Sequence, residues 1–262
     1  MTKEEKNGLY FIGTGAGSYQ DLTVKGLVLL KAADIIYYDS YTNFSAFKAD
    51  ELAEKTKIGF NKIKLATRSD LEDNAHLIVD QARNRKVALL VPGDPFLATT
   101  HNSLRLEAIR AGIPVKVANN ANIFSLVTSL AGLHFYKFGR TITLPFPENR
   151  SIYPYETIRT NLSAGNHTLI LLDIDVSENR FLDISDALKM LSEDERNQNK
   201  GVVTAKSLFV GLAKLGHSGQ ILNCGTAEQL IDMNWKNIGP PQSIIACADL
   251  HFSEKEALEA FC

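Results

Sequence analysis

The residues in this sequence that could carry chemistry lie in two short, glycine-rich stretches. The first, GTGAGS (13–18), follows an apolar run, and the second, VPGDPFLATTH (91–101), follows the apolar segment VALL. Glycines let a backbone approach a ligand closely because no Cβ stands in the way. Asp94 is the carboxylate of the second stretch, although Asp and Pro are also common in turns for backbone reasons alone. The stretch therefore predicts either a plain turn or the floor of a ligand site.

The glycines of the first stretch differ in spacing from the dinucleotide-binding fingerprint. That fingerprint is G-x-G-x-x-G at the start of a helix, with an acidic residue about 20 positions further on. Here Gly13, Gly15 and Gly17 give G-x-G-x-G, and the next helical pattern begins only after YQD (19–21). Asp39 ends a later apolar segment, where a ribose-binding acid would stand. A nicotinamide-dependent reductase is therefore one alternative for this sequence.

Patterns typical of covalent or metal catalysis do not occur in the sequence. The six histidines show no metal-binding spacing, and there is no G-x-S-x-G motif, no Walker loop and no evident nucleophile–base pair. We therefore assign no catalytic residue and no metal ligand. If the protein is an enzyme, we expect its chemistry to work without a covalent nucleophile or a metal. A non-catalytic partner-binding protein is a further alternative.

Composition and charge argue against several broad classes of protein. The chain has 262 residues with 28 basic and 30 acidic side chains, and its formal charge of −2 argues against non-specific nucleic-acid binding. The polar start MTKEEKNG, and the lack of any apolar run of about 18–20 residues, predict neither a signal peptide nor a membrane helix. The three cysteines, an odd and sparse set, predict thiols in a reducing compartment. We expect a cytoplasmic protein.

Strand-like and helix-like segments alternate along the first half of the chain. The pattern predicts five strands by residue 119, four of which we place at 9–13, 34–39, 87–91 and 114–119, with helices at 22–33, 69–86 and 99–112. Ligands of such open parallel sheets gather outside the carboxyl ends of the strands. Because both glycine-rich stretches follow strands, we expect them to meet at one edge of the sheet.

The second half of the chain mixes strands and helices without strict alternation. Strands are predicted at 140–150, 167–175 and 242–250, a strand-like segment at 202–216, and helices at 183–194 and at the end of the chain. We therefore predict an α/β fold of two domains, residues 1–115 with a mostly parallel sheet and residues 116–262 with an α+β arrangement. The segment 121–136 has more hydrophobic surface than a solvent-facing helix should, which predicts a subunit or domain interface.

Several stretches together resemble a known superfamily. GTGAGSYQDLTVKGLVLLKAADIIYYD resembles the opening of the tetrapyrrole-methylase superfamily of S-adenosylmethionine-dependent methyltransferases. PGDPFLATTHNSLRLEAIRAGI, GLHFYKFGRT, HTLILLDI and GPPQSIIA resemble the branch that modifies translation elongation factor 2 on the way to diphthamide. The resemblance spans almost the whole chain. It implies a two-domain α/β homodimer that binds S-adenosylmethionine in the cleft between its domains and releases S-adenosylhomocysteine.

The resemblance also implies which residues contact the cofactor. Carried over motif by motif, these are Ala16, Asp94, Leu97, Asn122, Ile123, Leu172, Leu215 and Gln242. Relatives tend to carry a larger aliphatic residue at the first of these positions, a serine at position 122 and often a histidine at position 242.

The reaction implied by the resemblance is methylation of the amino group of a 3-amino-3-carboxypropyl chain on one histidine of elongation factor 2. Neither a membrane nor direct nucleic-acid binding is expected, and KFGR (137–140) is expected to meet acidic groups of the substrate. Methyltransferases acting on a tetrapyrrole ring or on ribosomal RNA are the alternatives within the superfamily.

Overall fold

The computed structural model describes residues 7–42, 44 and 47–262. The chain divides into two compact units, Met1–Ile123 and Phe124–Cys262. The predicted boundary after residue 115 falls at the start of a strand of the first unit, Val115–Ala118. Each unit contains one five-stranded sheet, so the predicted α/β class is confirmed.

The first unit is a parallel sheet with helical connections between its strands. The strands lie in the order β3-β2-β4-β1-β5, and every described pairing between them is parallel. The strands are β1 (Gly8–Gly13), β2 (Ile35–Asp39), β3 (Ile63–Ala66), β4 (Lys86–Val91) and β5 (Val115–Ala118), and the helices are α1 (Val24–Ala32), α2 (Ala49–Thr56), α3 (Arg68–Leu71), α4 (Ala75–Ala82) and α5 (Asn102–Arg110).

Both faces of this sheet are buried, which explains why its central strands read as continuous apolar runs. Leu9 and Phe11 of β1 pack in one apolar cluster, whereas Tyr10 and Ile12 of the same strand pack in another. β4 divides its side chains in the same way. The fifth strand that the pattern did not locate is β3, whose Lys64 and Leu65 are exposed at the sheet edge. The strand has only four residues, IKLA, which is too short a pattern to identify a strand from sequence.

The register of the strands places the carboxyl ends of β1, β2, β4 and β5 at the same level of the sheet. Gly13 pairs with Val91, Tyr38 with Leu90, and Ile12 with Ala118. The segments that follow β1, β2, β4 and β5 therefore all begin at the same side of the sheet, which we call the carboxyl edge. The two glycine-rich stretches both lie there, as the sequence predicts.

The second unit is a mixed sheet packed against helices. Its strand order is β11-β10-β12-β7-β6, antiparallel except for the parallel pair β6–β7. The strands are β6 (Ile142–Leu144), β7 (Thr168–Leu172), β10 (Phe209–Ala213), β11 (Ile221–Gly225) and β12 (Gln242–Ala246), with a separate hairpin of β8 (Ile174–Asp175) and β9 (Arg180–Phe181). The helices are α6 (Ile123–Ala131), α7 (Tyr153–Ser163), α8 (Ile184–Gln198), α9 (Ala227–Ile231), α10 (Trp235–Ile238) and α11 (Phe252–Phe261).

Some sequence predictions are corrected by these elements. The single helix expected at 69–86 is two helices, α3 and α4, because a capping box at Thr67 and Asp70 starts the first and a turn at 72–74 ends it. The strand β11 and the helix α7 were not predicted. The expectation of separate thiols is wrong for Cys224 and Cys262, which form a disulfide.

Among the residues that the structure describes, no helix has both the length and the apolar character needed to cross a membrane.

Candidate active site

The two glycine-rich stretches lie backbone to backbone at the carboxyl edge. Gly15 N donates to Gly93 O at 3.2 Å, and Gly93 N donates back to Gly15 O at 3.0 Å. Both glycines have positive φ, 79° and 72°. A Cβ on Gly13 would stand 2.4 Å from Gly93 O, closer than any real contact. This close approach explains why glycine is required here, because any side chain at position 13 would push the two stretches apart.

Asp94 holds the second stretch to the segment that follows β5. Its carboxylate is almost fully buried and accepts bonds from Phe96 N at 3.0 Å, Asn119 Nδ2 at 3.0 Å and Asn120 N at 3.2 Å. Three protein donors therefore already satisfy much of its hydrogen-bonding capacity. Asp94 is predicted to contact the cofactor, and the structure gives it a further role as the anchor of two adjacent loops.

Asn120 completes this anchor and was not found by sequence reasoning. Its side-chain amide donates to Gly13 O at 3.0 Å and to Asp21 O at 2.9 Å, which ties the first stretch to the end of β5. Asp21 in turn accepts from the backbone N–H groups of Gly17 and Ser18, both at 2.8 Å. Amides are ordinary loop residues, so no sequence pattern distinguished Asn119 or Asn120 from their neighbours.

The other predicted contacts of the first unit surround this anchor. Ala16, Leu97, Asn122 and Ile123 are each half-buried at the carboxyl edge. Asn122 Cα lies 4.0 Å from the point where a Cβ on Gly93 would stand. Ala98, directly after Leu97, has φ of 55°, a left-handed conformation that costs energy for a residue with a side chain. The loops thus place half-exposed side chains, most of them apolar, around the hydrogen-bonded group of Asp94 and Asn120.

A buried carboxylate–imidazole pair lies at the same edge. Asp39 Oδ2 is 2.9 Å from His101 Nε2, and the two side chains are 0% and 1% exposed. Asp39 also accepts from Tyr41 N at 3.0 Å, Thr42 N at 3.1 Å and the Thr42 hydroxyl. Because protein donors occupy both of its oxygens, Asp39 does not fit the ribose-binding acid on which the nicotinamide alternative depended.

A second polar group stands beside this pair. The Tyr41 hydroxyl donates to Glu72 Oε1 at 3.0 Å, and the Thr100 hydroxyl donates to the same oxygen at 2.9 Å. Burial raises the pKa of Tyr41 to about 12, and the Glu72 carboxylate adds to this effect. Tyr41 is therefore a neutral phenol that lies edge-on to the His101 ring, with 6.2 Å between ring centroids.

The predicted contacts of the second unit meet at one edge of its own sheet. The pairs Leu171–Ser243 and Ala213–Gln242 bring the ends of β7 and β10 to the start of β12. Leu172 and Leu215 are buried. Lys214, next to Leu215, has a φ of 53°, a left-handed conformation that is uncommon for a residue other than glycine.

The Gln242 amide is occupied by the protein itself. Its Nε2 donates to Trp235 O at 2.8 Å and Gly239 O at 3.1 Å, while its Oε1 accepts from Ile184 N at 3.0 Å. The side chain thus joins α8 and α10 to the start of β12. No sequence pattern indicates this structural role.

The two basic residues of the stretch KFGR differ in how the protein itself binds them. Lys137 Nζ donates to Asp249 O and to Glu254 Oε2, each at 2.6 Å. The guanidinium of Arg140 lies over the Tyr153 ring, 5.4 Å from its centroid. Lys137 is therefore bound within the second unit, whereas Arg140 is exposed, and a contact of Arg140 with acidic groups of the substrate stays a prediction.

Within the part of the chain that the structure describes, no three His, Cys, Asp or Glu side chains are grouped so that they could hold a metal ion.

Comparisons with known proteins agree with the motifs. The sequence model of the tetrapyrrole (corrin/porphyrin) methylases matches residues 8–208. A diphthine synthase from Staphylothermus marinus is 42% identical over 262 residues, which cover 97% of this chain and 93% of that protein. One from Methanosphaera stadtmanae is 36% identical, covering 95% of this chain and 94% of that protein. A crystal structure of diphthine synthase aligns with a TM-score of 0.86 at 32% identity, over 97% of this chain and 95% of that chain.

The fold and these relatives together define a methyltransferase that takes its methyl group from an S-adenosylmethionine-type donor. The chain belongs to the tetrapyrrole (corrin/porphyrin) methylase family and, within it, to the diphthine synthases. The resemblance read from the sequence motifs is thereby confirmed.

Proposed function

We propose that the chain methylates the amino group of the 3-amino-3-carboxypropyl-histidine of translation elongation factor 2, in diphthamide biosynthesis. The observation that carries this proposal is the near-full-length likeness to proteins named diphthine synthase, at 42% identity over 97% of this chain. The balanced charge of −2 also supports a protein acceptor, because a ribosomal RNA acceptor favours a broad basic surface.

The strand-edge loops fit S-adenosylmethionine as the methyl donor. Beside Gly93 is an open space, which we call the glycine cradle, because a Cβ there would meet Ala121 O only at 3.9 Å. A ligand can approach the backbone at this point, and Ala16, Leu97 and Ile123 are half-buried apolar side chains of the same loops. Leu172 and Leu215 of the second unit are buried, and their contact with the donor is proposed from the resemblance alone. We propose that Asp94 and Gln242 contribute chiefly by fixing the loops that carry these contacts, while Asn122 lies close enough to Gly93 to complete the cradle.

When bound, the donor supplies a methyl group on a positively charged sulfur, which an amine displaces in line. The protein then has to align the acceptor nitrogen with that methyl group and exclude water. Alignment alone can lower the activation barrier by several kcal/mol. The acceptor nitrogen also has to be uncharged, because an ammonium has no electron pair to donate. The loops at the carboxyl edge are the part of the first unit that we assign to this alignment.

We further propose that the protein works as a homodimer in the cytoplasm. The segment 121–136 supports the dimer in part. Val127 and Ala131 are buried within the unit, whereas Phe135 and Tyr136 are 63% and 92% exposed. A second copy of the chain that covered these two rings would remove a large apolar surface from water.

Labelled methyl transfer tests the proposed function. Wild-type protein with labelled S-adenosylmethionine is expected to label elongation factor 2 that bears the 3-amino-3-carboxypropyl group and not the unmodified factor, because the unmodified histidine offers no primary amine. Equal labelling of both forms would refute the proposed acceptor. Labelling only of ribosomal RNA or of uroporphyrinogen would favour an alternative within the same family.

A further inference from the structure

The buried pair of Asp39 and His101 has one polar atom that the described structure leaves without a partner. His101 Nε2 faces the Asp39 carboxylate at 2.9 Å, whereas Nδ1 of the same ring has no hydrogen-bond partner among the described residues. The ring is only 1% exposed. A buried polar atom without a hydrogen-bond partner destabilises the folded protein, so an atom of this kind calls for a ligand or a functional reason.

The partner on the other side of the ring fixes which form of the imidazole is present. An ionised carboxylate can only accept hydrogen bonds, and both Asp39 oxygens already accept from the backbone and from Thr42. His101 Nε2 must therefore carry the hydrogen and donate it. In the neutral ring this leaves an electron pair on Nδ1, so Nδ1 is a hydrogen-bond acceptor and a proton acceptor.

The pair lies one strand away from the loops assigned to methyl transfer. Asp39 follows Tyr38, which pairs with Leu90, and is therefore level with Val91 at the end of β4. Val91 in turn pairs with Gly13. Neighbouring strands are about 4.8 Å apart, so the pair stands next to the turn that carries Asp94 and Leu97. His101 also follows that turn directly in the sequence.

We propose that His101 Nδ1 is the proton acceptor for the amino group that becomes methylated, and that Asp39 is the positioning residue that holds the ring in this form. The inference rests on the proposed function, since it concerns the same acceptor. It also explains how a chain without an evident nucleophile–base pair in its sequence could handle a substrate amine that is charged at neutral pH.

The proposed step moves one proton and one methyl group. The N–H bond of the acceptor ammonium breaks, its electron pair stays on nitrogen, and the proton forms a new N–H bond at His101 Nδ1. The free pair on nitrogen then forms the bond to the methyl carbon, and the pair of the carbon–sulfur bond leaves with the sulfur. Asp39 faces the positive charge that the ring acquires, and the proton is later lost to solvent. A further methyl group requires the same step, because each transfer returns a positive charge to the nitrogen.

The titratable groups around the ring do not offer a second acceptor. On the described elements packed against His101, these are Asp39, Tyr41 and, beyond the Thr100 hydroxyl, Glu72. Tyr41 remains protonated because burial raises its pKa to about 12. Hydrogen bonds from Arg68, Thr100 and Tyr41 hold the pKa of Glu72 below its usual value against the opposing effect of burial, so this carboxylate stays ionised and bound.

The variant His101→Gln tests the proposal, because glutamine Nε2 can still donate to Asp39 while the proton acceptor is lost. We expect unchanged affinity for S-adenosylhomocysteine, and methyl transfer at pH 7 reduced by about 10²–10⁴-fold. We also expect a changed pH profile under single-turnover conditions with saturating donor. The wild-type rate should reach a plateau because His101 takes the proton of the amine. The variant rate should keep rising about tenfold per pH unit, since only the spontaneously deprotonated amine reacts.

His167→Gln is the matched control, because His167 is also fully buried and bonded to a carboxylate, at 3.1 Å from Glu254, but belongs to the second unit. It should keep the pH profile of the wild type. If His101→Gln shows the wild-type rate and profile while the wild type labels modified elongation factor 2, the proposal fails and the proposed function stands. If the wild type labels no elongation factor at all, the proposed function itself fails.

Nitrogen NMR of the wild-type protein gives a readout that does not depend on a folded variant. We expect the His101 hydrogen on Nε2, and a shift of the Nδ1 resonance when a peptide bearing 3-amino-3-carboxypropyl-histidine is added with S-adenosylhomocysteine. A hydrogen on Nδ1, or an Nδ1 resonance that the peptide leaves unchanged because an internal water already fills the position, would overturn the proposal.

Discussion

Asp94 shows what a single side chain reveals before and after the structure is known. Its place on a Gly-Pro turn after a buried strand is enough to predict a candidate site from sequence. Its partners Asn119 and Asn120 are not predictable in this way, because they follow another strand and have no characteristic spacing. The same holds for His101 and Asp39, which are separated by 62 positions and meet only because their strands are neighbours.

We expect Asp94→Ala to weaken binding of S-adenosylhomocysteine by about 1–3 kcal/mol, because three part-buried donors lose their acceptor and the loops they hold become loose. Calorimetric titration of the wild type and the variant measures this. Asp73→Ala, which changes an exposed aspartate of the same unit, should bind as the wild type does. Superimposable curves for wild type and Asp94→Ala would remove this residue from the site.

At the scale of elements, the close approach of the two glycine-rich stretches depends on the register of β1 and β4. Gly13 ends β1, and any Cβ there meets the carbonyl of Gly93 at 2.4 Å. The sequence predicted that these stretches meet at one edge, because the carboxyl ends of parallel strands lie together. It could not predict the direct bonds between them, since those depend on strand order.

We expect Gly13→Ala to reduce the free energy of unfolding by about 1–3 kcal/mol, the usual cost of overpacking, and to weaken cofactor binding at the same time. Gly219→Ala is a matched control, because position 219 also lacks a positive φ and its Cβ would meet only Lys214 at 4.0 Å. Urea unfolding and titration of both variants provide the comparison. Equal losses in the two variants would contradict the close approach.

The start of α11 is fixed by a buried carboxylate in the second unit. Glu254 is 0% exposed and accepts from Lys137 Nζ, His134 N, His251 N and His167 Nε2. Burial acts to raise the pKa of Glu254, yet the bonds donated by these groups outweigh it and hold the pKa at about 2. Burial lowers the pKa of His167 more than the neighbouring carboxylate raises it. Both groups therefore bind protons more readily in the unfolded chain.

The free energy of unfolding is consequently expected to decrease as the pH is lowered through two ranges. The contribution of His167 is lost as pH falls below its unfolded value of 6.5, and that of Glu254 is present above 4.5 and lost as pH falls towards 2. Urea unfolding across this range should show that Glu254→Gln is less stable than the wild type near neutral pH and that the gap narrows in acid. Glu259→Gln, an exposed position of the same helix, should run parallel to the wild type. A gap for Glu254→Gln that stays constant down to pH 2 would contradict this assignment.

At the scale of the whole molecule, the α/β class and most central strands can be predicted from the pattern of apolar residues alone. Central strands such as β1 and β4 are buried on both faces, so their residues must be apolar. The edge strand β3 and the half-buried strand β11 were not predicted, because residues that are not fully buried need not be apolar and leave no apolar run in the sequence. The disulfide of Cys224 and Cys262 was missed because the spacing of cysteines does not show which helix end lies against which strand.

The proposed homodimer is tested by sedimentation. The wild type is expected to sediment at twice the 28.9 kDa of one chain at micromolar concentration. Tyr136→Glu, which places a charge on a side chain that is 92% exposed, should sediment as a single chain and keep its fold. A wild-type species of 28.9 kDa would show that Phe135 and Tyr136 are not covered by a second copy.

Tandem mass spectrometry of elongation factor 2 after reaction tests the central claim most directly. The factor bearing the 3-amino-3-carboxypropyl group is incubated with wild-type protein and S-adenosylmethionine, digested, and fragmented across the modified histidine. We predict added methyl groups on the amino nitrogen of that chain, and none when the donor is replaced by S-adenosylhomocysteine. Methyl groups found only elsewhere on the factor, or no added mass on the modified histidine, would contradict the account.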